Sequence, residues 1–119
     1  LLEHGKTVVQ MHRTENMYAD VQVVKEGGDN NLHAHTGIDG LWMVLGGRVR
    51  FYGEEDKLVA ELGKHESILM PHGFPYWFES VGEEPLEVLH IAVHVHNVKD
   101  KRIDHAGLKE WQLSAQRSP

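Results

Sequence analysis

Apolar and polar residues alternate along most of this chain with a period of two, the spacing of a strand with one buried face. Thr7–Met11 and Tyr18–Lys25 follow that rhythm and are rich in valine, so both are predicted as half-buried strands. Gly27-Gly28-Asp29-Asn30-Asn31 then reads as a turn, Leu32–His35 as a short extended piece, and Thr36-Gly37-Ile38-Asp39-Gly40 as another turn. Leu41–Leu45 is a continuous apolar run, and Gly46-Gly47 leads it into Arg48–Tyr52. The turn Gly53-Glu54-Glu55-Asp56 precedes a strand at Lys57–Leu62. Ser67–Met70 and Tyr76–Glu79 flank Pro71-His72-Gly73, and Val81-Gly82-Glu83-Glu84-Pro85 leads into Leu86–Val95, the longest alternating run. Only Asp104–Gln116, where Leu108, Trp111 and Ala115 share a helical face, predicts a short C-terminal helix.

About nine short strands with turns between them predict an all-β sandwich or barrel. A closed barrel is favoured, because a short chain has few other ways to protect sheet edges. Leu41, Val44, Leu45, Ile68, Leu69, Phe78 and Leu89 are the expected core. Arg48 and Arg50 alternate with Val49 and Phe51 and are expected on an outer face.

At 119 residues the chain is read as a single domain, 1–119, and at 40% hydrophobic and 25% charged it is not disordered. A net charge of 12 − 18 = −6 has the wrong sign for a nucleic-acid partner. No apolar run approaches the ~20 residues of a membrane span, so no membrane partner is expected. Leu1–Gln10 lacks the apolar core of a secretion signal, which makes the cytoplasm the expected location. Cysteine is absent, removing disulfides, zinc–thiolate sites and thiol catalysis. Ten histidines are in excess and point to metal or proton chemistry.

Gly27, five residues, His33-Ala34-His35, three residues, Asp39, six residues and Gly46 resemble the first motif of the cupins. Pro71-His72-Gly73-Phe74-Pro75-Tyr76 partly matches their second motif, and the turn at 81–86 resembles the one that follows it. The resemblance covers about residues 18–95 and implies a small jelly-roll β-barrel. In a metal-binding cupin the ligands are the two motif-one histidines, a glutamate and a motif-two histidine. His33 and His35 take the first two places. The glutamate place falls on Asp39 if Gly46 closes the motif, or on Gly40 if Gly47 does. The motif-two histidine place is occupied by Tyr76, and the asparagine place by Ser80.

His33 and His35 lie two apart in an extended segment, so both imidazoles share a face. Such a pair suits a divalent ion such as Fe, Zn, Ni or Mn, and suits a proton shuttle equally well. Asp39 or His90 is the candidate third ligand; His94 and His96 share the parity of His90 on the last long strand. Tyr76 is a poor ligand while protonated but a reasonable hydrogen-bond donor or general acid, so His33, His35 and Tyr76 are the candidate catalytic residues. Trp42, Phe51, Tyr52, Tyr76, Trp77 and Phe78 are expected to pack or line the barrel.

The leading expectation is a small-molecule-binding barrel acting as a metal-dependent dioxygenase or isomerase through His33 and His35, because further histidines lie in reach of the pair; the alternatives are a metal-independent sugar-type isomerase or epimerase and a non-catalytic binding protein for a small polar molecule. Some sugar-nucleotide ketoisomerases of the family carry a similar His-Ala-His. A homodimer is expected as well, because Val8–Met11 reads as an open edge strand.

Overall fold

The computed structural model describes residues 5–25 and 31–105. Ten strands run through them: β1 Lys6–Arg13, β2 Met17–Val24, β3 His33–His35, β4 Ile38–Gly46, β5 Arg48–Tyr52, β6 Leu58–Leu62, β7 Ser67–Met70, β8 Trp77–Val81, β9 Leu86–His94 and β10 Arg102–Asp104. One sheet has the order β1-β2-β9-β4-β7. Facing it are β6-β5-β8 and the β10-β3 ribbon, linked by a bridge in which His33 and Tyr76 exchange backbone hydrogen bonds of 3.1 and 2.9 Å. All strand pairs are antiparallel, and together they form the small jelly-roll barrel.

Alternation decides what fills it. Leu86, Val88, His90 and Ala92 of β9 point inward and are buried, as are Trp42 and Val44 of β4 and Val49 and Phe51 of β5. Tyr76, Phe78, Met70 and Val24 complete the core between the layers. Arg48 and Arg50 stay on the outer face of β5, where both bond Glu61.

Three expectations need correcting. Ile38, Asp39 and Gly40 are not a turn but the first residues of β4, paired with His94, Val93 and Ala92. The Asp-Gly signal is overridden there by a full ladder on β9. Of the expected core, Val44 and Phe78 are buried, but Leu45 and Leu69 are exposed and Leu41, Ile68 and Leu89 only half-buried. A continuous apolar run does not say which parity faces inward. Here Val44 and Met70 do, so Leu45 and Leu69 point out. Finally, Asp104 is extended, paired with His33 in the β10-β3 ribbon, so no helix starts there. The remainder of the predicted helix lies outside the described residues.

Candidate functional site

The barrel encloses a cavity of about 310 Å³, built from inward positions of six strands. Strand β2 supplies Tyr18, Asp20 and Gln22; β3 supplies His33 and His35; β4 and β9 supply Trp42 and His90; Tyr76 enters just before β8. Lys6, Val8, Gln10 and Arg13 of β1 and Arg102 of β10 line its open side.

His33 and His35 both reach this cavity, their rings 5.3 Å apart and nearly perpendicular. His33 is buried, and its Nδ1 lies 2.7 Å from the Asn31 carbonyl. A carbonyl can only accept, so Nδ1 carries the proton and Nε2 keeps its lone pair. Desolvation pulls the His33 pKa down to about 4, against the smaller opposing effect of that carbonyl. His33 is therefore neutral at physiological pH. His35 is partly open, and its Nδ1 meets the Asp100 carboxylate at 3.1 Å. Asp100 is itself fixed by the Gly37 N–H, which donates to its other oxygen at 3.1 Å. A histidine oriented at Nδ1 by a carboxylate offers Nε2 for proton transfer.

Tyr76 lies beside His33, with ring centroids 4.9 Å apart, rather than across the cavity from the pair. The backbone bridge between the two residues forces this side-by-side placement. Burial pushes its phenol up to about 12, so the hydroxyl stays protonated and can donate. His90 is buried and stacks on Trp42 at 4.0 Å with the planes 16° apart. Its Nδ1 is 3.5 Å from Asp20 Oδ2, close enough for attraction but without hydrogen-bond geometry. Burial holds the His90 pKa below the ordinary histidine value despite Asp20.

Asp39 is not part of this cavity. Its side chain faces outward and accepts hydrogen bonds from the His72 backbone N–H and ring Nδ1, both at 2.8 Å. Those bonds, the ring contact first, hold its carboxyl below the usual range. The inward neighbour is Gly40, where a Cβ would stand 3.4 Å from His90 Nε2. A small pocket of about 10 Å³ lies there, among Gly40, His35, Tyr76 and His90. Of the two residues offered for the carboxylate place, the one facing the cavity, Gly40, has no side chain. Among the described residues no three of His, Asp or Glu converge in a way that could hold a metal ion. A protein metal site normally needs at least three such ligands, so the donor set does not fit a divalent ion.

Sequence reasoning missed Asp20, Gln22, Asp100 and Arg102. The first two carried a signal: Tyr18, Asp20 and Gln22 share one parity of β2, and a polar stripe opposite Val21 and Val23 is what a wet barrel interior requires. Asp100 and Arg102 carried none, since 65 residues separate Asp100 from the histidine that it orients.

Fold and site together define a small barrel with a histidine-lined polar interior. The cupin domain family matches residues 20–92, and the chain belongs to that family. An uncharacterised conserved protein from Klebsiella pneumoniae with a double-stranded β-helix domain has a similar structure, with TM-score 0.71 and 14% identity over 86% of this chain and 87% of that one. The Schizosaccharomyces pombe Cnp3 cupin domain is also similar, with TM-score 0.69 and 14% identity over 79% and 68%. So is an RmlC-like cupin from Desulfovibrio desulfuricans, with TM-score 0.63 and 22% identity over 78% and 92%. At these identities the likeness is one of fold. No curated protein matches the chain.

Proposed function

We propose that the cavity binds a small polar molecule and moves one of its protons through His35, with no resident metal in the step. The observation that carries this is the His35–Asp100 pair opening on the same cavity as His33 and Tyr76. The roles divide by burial and partner: His35 is partly open and backed by a carboxylate, His33 is buried. A general base works best with a pKa near the operating pH, and His33 at about 4 is far too weak. His33 instead accepts a hydrogen bond from the ligand through Nε2, while Tyr76 donates one to a carbonyl or hydroxyl oxygen. Such a donor beside a base supports isomerisation or epimerisation next to a carbonyl.

The deeper wall also favours a ligand with both donors and acceptors. Gln22 Oε1 and Trp42 Nε1 are buried on the cavity without a hydrogen-bond partner, a costly arrangement that a bound polar molecule would relieve. Lys6, Arg13 and Arg102 line the open side, Arg102 sharing its charge with Asp104 at 3.1 Å, and this basic edge favours an acidic group at that end of the ligand.

The test has two parts. Small hydroxy acids, keto acids and sugar phosphates are screened by thermal shift, and any binder is incubated in deuterated water with the protein. Binding together with deuterium uptake that disappears in His35→Ala and falls in Asp100→Asn is the expected result. Binding without uptake reduces the protein to a ligand-binding cupin. One equivalent of metal retained through gel filtration, and lost in His33→Ala, overturns the metal-free mechanism.

A further inference from the structure

The wall of the cavity formed by the five-stranded sheet carries a polar row that proton transfer at His35 does not use. Register sets Gln10, Asp20, His90 and Trp42 side by side across β1, β2, β9 and β4. Asp20 is 3% exposed and Gln22, two residues along β2, 6%; both line the cavity. The Gln22 amide nitrogen donates to Asp20 Oδ1 at 3.1 Å. A carboxylate accepts and cannot donate, so this bond fixes the amide orientation and leaves Oε1 buried without a hydrogen-bond partner. Asp20 Oδ2 lies 3.5 Å from His90 Nδ1, without hydrogen-bond geometry. The fold thus leaves two neighbouring acceptors, one of them a carboxylate, short of donors. Trp42 Nε1 does not answer them. It lies 3.6 Å from where a Gly40 Cβ would stand, and Gly40 shares a row with Ala92 and Tyr18, on the opposite side of the Asp20 row from Gln22.

We propose that Asp20 and Gln22 form a subsite for a primary ammonium group, and that the ligand is a small amino acid whose carboxylate meets the basic edge. This deepens the reading of the cavity as a binding site and rests on it. An ammonium carries three donors and a positive charge, so one such group serves both oxygens and compensates a buried carboxylate. A hydroxyl has one proton to give, which leaves one oxygen unpaired and the charge uncompensated. The opposite end of the ligand meets the opposite sign, since Lys6, Arg13 and Arg102 line the open side. Size agrees: the cavity of about 310 Å³ has the volume of about ten water molecules, enough for a small amino acid.

Calorimetric titration of the full chain with matched pairs tests this: glycine against glycolate, aspartate against malate, β-alanine against hydracrylate, and γ-aminobutyrate against γ-hydroxybutyrate. At least one amine is expected to bind about tenfold or more tighter than its hydroxy partner, the value of hydrogen bonds to a charged group. Asp20→Asn is expected to abolish that preference, and Gln22→Met, which keeps the length of the side chain without its acceptor, to reduce it. Arg102→Gln is expected to weaken both members of the pair alike. Hydroxy acids that bind as tightly as their amine partners overturn the subsite and leave the proton-transfer reading standing. An amine preference unchanged in both Asp20→Asn and Gln22→Met overturns it too. Binding by neither series overturns the subsite, and the cavity reading falls with it if the wider screen also finds no binder.

Discussion

His90 lies flat against Trp42, ring centroids 4.0 Å apart, where β4 and β9 pair them directly. The contact turns a histidine that the sequence offers as a metal ligand into a wall of the cavity. It also explains how the barrel does without a carboxylate at Gly40: the stacked pair lies beside that position, with the Trp42 indole nitrogen 3.6 Å from where a Cβ would be. Replacing Trp42 by alanine removes the pillar from both core and site. Loss of a buried aromatic side chain typically costs about 3–5 kcal/mol, and urea denaturation is expected to show a destabilisation in that range. A cost below about 1 kcal/mol would mean that the stack contributes little to the fold.

Acid should destabilise the protein in a window set by His33. Its pKa is about 4 when folded against the ordinary 6.5, so between these values the unfolded chain binds more protons. Stability from this group is complete above pH ~6.5 and declines as pH falls toward ~4, by at most about 3 kcal/mol. His90, also depressed, acts in the same direction. Melting temperatures across pH 4–7 are expected to fall less steeply for His33→Gln than for the wild type; superimposable slopes would refute the assignment.

Tyr76→Phe deletes a hydroxyl but keeps the ring packed against His33 and Phe51. The melting temperature is expected to change little. Affinity for whichever small molecule emerges from the screen should fall about tenfold, the value of one hydrogen bond to the ligand. Calorimetric titration of both proteins measures this, and equal affinities would remove Tyr76 from the site.

Gly37 fixes Asp100 by close approach. A Cβ at that position would stand 2.9 Å from the Asp100 nitrogen and the Val98 carbonyl oxygen, both backbone atoms. Gly37→Ala must displace the segment carrying Asp100, at a cost of about 1–3 kcal/mol. Proton exchange by His35 is expected to fall as in Asp100→Asn, while ligand affinity changes less. Unimpaired exchange would show that Asp100 does not orient His35.

Strand positions are readable where turn residues bound a short run: Arg48–Tyr52, between glycines, and Ser67–Met70, before Pro71, fall on β5 and β7 without adjustment. Which parity faced inward was not readable where both were apolar. Leu45 and Leu69 therefore read as core residues in the sequence, although they point out beside inward Val44 and Met70. The His33–His35 pair was legible because two-residue spacing fixes a shared face. Asp39 misled for the complementary reason: one step along β4 carries a side chain through the sheet, and the inward position belongs to Gly40. Asp20 and Gln22 were hidden because the valines of β2 look like the buried face, whereas the barrel interior there is polar.

The site spans the chain in a particular order. His33 and Tyr76 come from the first two thirds, but Asp100 and Arg102 arrive only after β9 has closed the five-stranded sheet. A growing polypeptide released as far as His94 would already own every strand of the five-stranded sheet, yet His35 would have no carboxylate behind it. During synthesis the scaffold can mature before its proton-handling group is oriented, and closing a loop of this length is among the slower steps of folding.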